Sequence, residues 1–488
     1  MSDTKRTAVK GFGWQTFGQF AQNGVQFIAS LVFARLLLRE EYGVAMVAFT
    51  VADFASLLRV SGIAQAFIAS PRPSEEIRDT VFWVAQFSGV VYAALLFFGA
   101  GWVETVLGAQ GLAPLLQLLA VAQLVDGLRV APFALLMREY RFRDKTIAEA
   151  VPFVFGAAVA ISLAFVLPED ARIWALASMP VARTAGQAVL FNWYLPVVPR
   201  LRFHIGRARE LLRASYGILG SNLPSSVLEL VPTIAVQQRA GEVAAGAFRV
   251  GSNLVVPASR LGHAANYTLF PILARFRDDE QRFRASLLRS MRTVGALSTG
   301  LLAWAWVTSP SLVPLLFGEK WRFAAEAARW LSVAAALRVY TYIVTNGLLA
   351  VGRDVPSLVI WMCSLAVGIG ALYLIPMELG DPAPGAVALT MATATGFLMS
   401  ITALTVTLKV RVSEALGNLV PALSSVGVGI AAGLVADAGV NQQADWLRFL
   451  AVSAAFAAGF LPICGVLLGG GPYSLLSLRG IKQVIQRN

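Results

Sequence analysis

Residues 151–167 read VPFVFGAAVAISLAFVL, without a single charge, and runs of this kind recur along the whole chain. An apolar run of about 20 residues is what a helix needs to cross roughly 30 Å of hydrocarbon. A chain that repeats such runs can satisfy its backbone in lipid only as a bundle of spanning helices. The composition agrees: of 488 residues, 57% are hydrophobic and 14% charged, too few charges to coat a soluble chain of this length. The expected fold class is an all-α polytopic membrane protein of about fourteen transmembrane helices. They fall near 13–37, 42–69, 81–103, 112–136, 146–167, 172–195, 214–237, 243–273, 293–317, 324–351, 355–377, 385–408, 419–440 and 445–468.

The N-terminal MSDTKRTAVKGFGWQTFGQF is basic but has no short apolar core followed by a small-residue cleavage site, so span 1 is expected to remain uncleaved. Cys363 and Cys464 both lie within apolar spans and read as packing residues. Neither a disulfide framework nor a metal site follows from them. A net charge of +12 could indicate nucleic acid, but the basic residues obey a different rule. Alternate connections hold Lys5, Arg6 and Lys10, then Arg72 and Arg78, then Arg138, Arg141, Arg143 and Lys145, and so on to Arg479, Lys482 and Arg487. The other connections hold only Arg39, Arg172, Arg239, Lys320 and Arg322, so the ratio is twenty-six to five. Positive-inside topology puts the first set, and with it both termini, in the cytoplasm.

The two halves read as weak repeats at an offset of roughly 205 to 212 residues. LLAVAQLVDGLRVAPFALLMREYRF runs parallel to WLSVAAALRVYTYIVTNGLLAVGRD, and VETVLG parallels VPLLFG. With six spans each, both halves insert the same way up. The implied organisation is an N-lobe at 1–195, a basic cytoplasmic linker at 196–213, a C-lobe at 214–408, and spans 13 and 14 with an amphipathic tail at 409–488. Two parallel six-helix bundles around a central cavity are a transporter architecture. The linker and the stripe Phe276, Phe283, Leu287 and Met291, set among arginines, both read as interfacial anchors.

A cavity requires polar helix faces. Span 1 carries Gln15, Gln19, Gln22 and Gln26 on one face, a face that lipid would leave without hydrogen bonds. Span 7 carries Asn222, Ser226, Glu229 and Thr233. Span 8 places Arg249 and Arg260 about 20° apart around its axis, with Ser252, Asn253, His263 and Tyr267 on or near the same face. Nine basic residues lie inside spans, and all are arginine: Arg35, Arg59, Arg129, Arg183, Arg249, Arg260, Arg329, Arg338 and Arg448. A planar, permanently charged fork suits phosphate or carboxylate. Arg35, Arg329 and Arg448 read as snorkelling from helix ends, and Arg129 as an intrahelical partner of Asp126. Arg59, Arg249 and Arg260 have no acid three or four residues away and read as ligand-binding. Around Arg59 stand the small residues Ala55, Ser56, Gly62 and Ala66. Asp53 and Glu229 either pair with cavity arginines or carry a coupling cation. His263 reads as a hydrogen-bonded structural histidine, or else as a catalytic base or a proton site, and His204, in the linker, as solvated.

FARLLLREEYGVAMVAF, MREYRFRDKTIAE, FPILARFRDDEQRFR, LLFGEKW and LLAVGRD follow one another over most of residues 10 to 360. In this order and spacing they resemble the polysaccharide flippases of the multidrug/oligosaccharidyl-lipid/polysaccharide exporter superfamily, which move O-antigen and exopolysaccharide units on a polyprenyl carrier. LLRVSGIAQAFI is similar, more narrowly, to the second helix of the lipid II flippases, whose arginine there faces a cationic cavity. Arg59 matches that arginine by motif, and Arg249 or Arg260 matches a further one by helix. Span 1 carries glutamines where the lipid II group carries charge, which points to a different glycan.

The resemblance implies a transporter, with no catalytic residues and no cofactor, in the bacterial inner membrane. It would bind the pyrophosphate of a polyprenyl-linked glycan through Arg59, Arg249 and Arg260. The sugars would meet Gln15, Gln19, Gln22, Gln26, Asn222, Ser226 and Asn253. Its other partners would be anionic lipid headgroups and polysaccharide-assembly proteins, not nucleic acid. A cation-coupled multidrug exporter of the same fold would favour carboxylates and aromatics over arginine. A glycan polymerase or ligase would present a large external catalytic loop, and no connection here is long enough.

Overall fold

The computed structural model of the protein describes residues 2–57, 64, 67, 68, 75–197, 199, 200, 205–277, 279–440 and 443–467. Among them there is no strand, and thirteen α-helices follow in order. These are α1 (Ser2–Leu36), α2 (Arg39–Leu57), α3 (Glu75–Leu107), α4 (Leu112–Arg138), α5 (Phe142–Val166), α6 (Arg172–Tyr194), α7 (Ile205–Arg275), α8 (Glu280–Phe317), α9 (Ala324–Ala350), α10 (Asp354–Leu374), α11 (Ala383–Val406), α12 (Val412–Gly439) and α13 (Asp445–Leu467). Nine of them, α3 to α5 and α8 to α13, are long and apolar enough to cross a membrane, counted among the described residues. Phe98, Leu374 and Val435 are among many large apolar side chains left exposed on these helices, as lipid-facing positions must be.

Spans 7 and 8 of the sequence reading are the two helical parts of α7, which meet at Gly241 (φ 84°, ψ 178°), a non-helical residue between positions 237 and 243 where one span was expected to end and the next to begin. That conformation is open to glycine alone, and it ends one helical part and lets the next begin in an alanine-rich sequence that favours helix on either side. The break is tied down on two sides. Gly380 N–H donates to the Ala240 carbonyl at 2.9 Å, and the start of α2 comes so close that a Cβ on Gly43 would run into the Glu242 carbonyl.

Chain contacts divide the molecule into two compact units, one of residues 1–246 with 378–380, the other of 247–377 with 381–488. In the first, α3 packs on α4, α5 on α6, α4 on α6 and α1 on α5. Its cores gather Phe67, Ile77, Val81, Phe82 and Ala134 in one cluster and Leu136, Ala148 and Phe191 in another. In the second, α9 packs on α11 and α8, and α12 and α13 pack on each other and on α8. There Val307, Val426, Val452, Phe456 and Phe460 form one core, and the Trp304 indole N–H donates to Ser453 Oγ at 3.0 Å.

Two sequence expectations change here. Phe283, Leu287 and Met291, read as a lipid anchor, are buried against Val339, Ile343 and Leu404. Helical spacing reveals that a face is covered but not whether lipid or protein covers it. Arg448, read as snorkelling, is held by Asp437 across the α12–α13 hairpin, with Nη2 2.7 Å from Oδ2. Nearby, Arg322 hydrogen-bonds Glu319 in the α8–α9 connection and Asp445 at the start of α13. The bond from Arg322 holds the Glu319 carboxyl below its usual range.

Gly43→Val is expected to destabilise the protein by about 1–3 kcal/mol through overpacking at the break. Gly99→Ala, where a Cβ meets nothing within 4 Å, should leave the thermal midpoint in detergent unchanged or raised. Glu319 contributes its ion pair fully above the ordinary glutamate range and loses it as pH falls through the depressed value. The fall in thermal midpoint below about pH 4 should therefore be shallower in Glu319→Gln than in the parent.

Candidate functional site

Polar groups in these helices are of two kinds. Most buried hydroxyls spend their proton on their own helix. Thr345 donates to the Thr341 carbonyl at 2.9 Å, Ser364 to Ile360 at 2.8 Å and Ser400 to Gly396 at 2.7 Å. Such groups need nothing from outside. A few buried atoms have no hydrogen-bond partner among the described residues, including Thr233 Oγ1, Gln237 Oε1 and Arg249 Nε. These, together with charged groups exposed at membrane depth, mark where water or a ligand belongs.

In the first unit three helices carry such a face. On α1, Gln15 Nε2 reaches Met137 Sδ at 3.7 Å and Gln19 Nε2 donates to Asn23 Oδ1 at 3.1 Å. Gln22 is half-buried, and Gln19 and Gln26 are exposed. On α2, Asp53 is exposed about 21 Å from the helix start, a depth at which hydrocarbon would not accept a carboxylate. On α7, Ser226 is half-buried, Glu229 exposed, and Thr233 and Gln237 buried. The sequence reading did not include Gln237, although it continues the Glu229–Thr233 row by one turn.

The same unit holds a set of charges inside its helix packing. Arg129 and Asp126 on α4 form the intrahelical pair that their spacing implies, with Nε 2.5 Å from Oδ1. Arg183 on α6 is partly buried. Its guanidinium carbon lies over the Phe153 ring of α5, 5.3 Å from the ring centroid. Arg183, like Arg59, has no acid three or four residues away.

In the second unit, Arg249 and Asn253, one turn apart on α7, are half-buried. Arg59 and His204 lie outside the described residues, as do the side chains of Asn222, Arg260 and His263. Among the described residues no three His, Cys, Asp or Glu side chains are grouped to hold a metal ion.

Residues 32–326 match the family model described as polysaccharide biosynthesis protein. The chain belongs to this family. It is 26% identical over 325 residues to the succinoglycan biosynthesis transport protein ExoT of Rhizobium meliloti (strain 1021), covering 65% of this chain and 64% of that one, just under two thirds of the relative's length. With the lipopolysaccharide biosynthesis protein WzxC of Escherichia coli (strain K12) it shares 24% identity over 341 residues, 68% of each. Among solved structures, the lipid II flippase MurJ in an inward closed conformation superposes with a TM-score of 0.71 at 11% identity, covering 94% of this chain and 99% of that one. An inward-facing MATE multidrug transporter gives 0.63 at 14% identity, covering 80% and 95%. These two likenesses show the fold.

Cysteines introduced at Gln26, Asp53 and Glu229, in a background lacking Cys363 and Cys464, should react with a charged maleimide. One at Phe98, exposed on the apolar α3, should not. Labelling at Phe98 equal to that at Asp53 would mean that the polar faces are not water-lined.

Proposed function

We infer that the protein is a flippase that moves an undecaprenyl-pyrophosphate-linked oligosaccharide, a surface-polysaccharide repeat unit, from the inner to the outer leaflet of the bacterial inner membrane by alternating access. The observation that carries this reading is Arg249. About 12 Å past the Gly241 break, its guanidinium is half-buried, and its buried Nε has no hydrogen-bond partner among the described residues, in a chain whose relatives are named for succinoglycan transport and lipopolysaccharide biosynthesis. A lone guanidinium in a spanning helix is costly unless it meets an anion, and a diphosphate supplies the oxygen pair that its fork fits.

In this reading Arg59, Arg249 and Arg260 bind the pyrophosphate. Gln15, Gln19, Gln22, Gln26, Asn222, Ser226 and Asn253 hydrogen-bond the sugars, and Asp53, Glu229 and His263 set the charge of the path or couple it to a cation. Residues 1–195 and 214–408 act as N-lobe and C-lobe, joined by a basic linker at 196–213 on the cytoplasmic side, where both termini lie. The prenyl chain stays in lipid throughout. The energetic task is to offset desolvation of the headgroup, which pre-placed arginines do before the anion arrives. An inside-negative potential then favours outward movement by roughly 2.3 kcal/mol per charge per 100 mV.

Arg59→Ala, Arg249→Ala and Arg260→Ala, each expressed at parental level in cells lacking the native chain, should lower surface polysaccharide and raise the lipid-linked precursor on the inner leaflet. Normal polysaccharide in all three would overturn the assignment. Drug resistance conferred on a sensitised strain, with polysaccharide unchanged, would instead favour a multidrug exporter.

A further inference from the structure

Helix α1 has no charged residue between Lys10 and Arg35, and packing divides that stretch into three faces. Gly18 and Ala29 are buried. At Gly18 the helix comes so close to α5 that a Cβ would run into the Thr146 side chain. Two exposed faces flank this seam. One is apolar, with Phe17, Phe20 and Ile28 each more than half exposed, as lipid-facing side chains are. The other is polar, with Gln19 and Gln26 exposed and Asn23 half-buried. Gln26 follows Phe17 by nine residues and Ile28 follows Gln19 by nine, which is two and a half turns, so the two faces point in opposite directions.

On the polar face Gln19 Nε2 donates to Asn23 Oδ1 at 3.1 Å. The bond leaves Gln19 Oε1 as an acceptor and Asn23 Nδ2 as a donor, and among the described residues neither side chain makes another hydrogen bond. Gln19, Asn23 and Gln26 stand about 9, 15 and 20 Å from the start of the span expected at 13–37. An amide at that depth needs water or a ligand. The bond also orders two flexible side chains before any ligand arrives, which lowers the cost of binding one. An acceptor beside a donor matches two neighbouring sugar hydroxyls, one giving its proton to Gln19 and the other accepting from Asn23. No cation stands on this face to meet a carboxylate or phosphate. Gln15 and Gln22 differ: they flank Gly18 by one turn, both are half-buried, and Gln15 Nε2 already reaches Met137 Sδ of α4 at 3.7 Å.

We propose that Gln19, Asn23 and Gln26 form a recognition edge for an uncharged, hydroxyl-bearing sugar of the transported glycan, with Asn23, which the sequence reading did not include, as a specificity-determining residue. This rests on the flippase reading and divides its glutamine row into unequal parts. The Gln19–Asn23 pair reads the direction of two hydroxyls, Gln26 extends the edge along the helix, and Gln15 and Gln22, beside the seam, contribute less. A sugar with a hydroxyl turned away, or with a carboxylate in its place, leaves the donor or the acceptor unpaired, and that unpaired group is what discriminates.

The test uses the full-length chain in nanodiscs, with calorimetric titration of farnesyl diphosphate and of its glucosyl, galactosyl and glucuronosyl derivatives. The parent should bind one of the two neutral glycosyl probes about fivefold or more tighter than either farnesyl diphosphate or the glucuronosyl probe. Asn23→Ala should remove that preference and leave farnesyl diphosphate binding unchanged, a split that a general disturbance of α1 does not produce. Gln19→Ala should do the same, and the double variant should lose no more than either single one, because the two amides act as a unit. Gln22→Ala should change binding of the preferred probe by less than about twofold. If Asn23→Ala is not monodisperse, the isosteric Asn23→Asp, which removes the donor, takes its place. A parent that prefers neither neutral probe, or Asn23 variants that weaken all four probes equally or none, overturns the proposal. If in that case Arg249→Gln still abolishes farnesyl diphosphate binding, the flippase reading survives alone. If Arg249→Gln is also without effect, that reading falls with it.

Discussion

The constraint on which this structure depends is the cost of a charge or an unpaired polar group at bilayer depth, about 2.5–3.5 kcal/mol for an arginine, lysine or aspartate at the centre of a spanning helix. Every polar side chain in the spans has to answer to it. Thr345, Ser364 and Ser400 do so locally, by returning their protons to carbonyls of their own helix. Arg448 and Asp437 do so pairwise across a hairpin, and Arg329 does so by lying over the Trp306 ring at 5.0 Å. Among the described residues, Thr233 Oγ1, Gln237 Oε1 and Arg249 Nε are buried with no hydrogen-bond partner, and Arg249 is the one on which the proposed function leans.

The same constraint shapes the backbone. A break in a long helix frees carbonyls that lipid cannot satisfy, so the break at Gly241 has to be supplied with donors by the protein itself. Gly380 N–H supplies one to Ala240, which explains why residues 378–380 group with the first unit although the helices on either side of them group with the second. Gly43 brings the start of α2 against the residue just past the break, so the junction of the two helical parts of α7 is enclosed by backbone from two other segments.

Much of this could be read from the sequence. The apolar blocks placed helices at 112–136 and 324–351, and the structure has Leu112–Arg138 and Ala324–Ala350, because hydrophobic length alone sets such boundaries. The Asp126–Arg129 pair was legible because both residues sit on one helix at i, i+3. The Arg448–Asp437 pair was not, since its partners come together only when two helices fold back on each other. Gly241 falls in the RAGEVAAG stretch between the spans expected at 214–237 and 243–273, so the place of the break was legible from hydrophobic length, while its form, a single extended glycine, needed the torsion angles. The stripe Phe283, Leu287 and Met291 has the period of a buried face, but period carries no information about what buries it. Arg183 was visible as a mid-span arginine, whereas its aromatic neighbour Phe153 comes from another helix and was not.

Arg183 and Arg249 meet the desolvation problem in different ways. Arg249 has a buried Nε without a hydrogen-bond partner among the described residues, and the proposed function is what gives that group an anion to meet. Arg183 has its guanidinium over the Phe153 ring, 5.3 Å from the centroid, so part of the water it gives up is replaced by an aromatic face within its own unit. One arginine therefore meets part of its cost inside the fold, and the other leaves its cost for something outside the fold to offset.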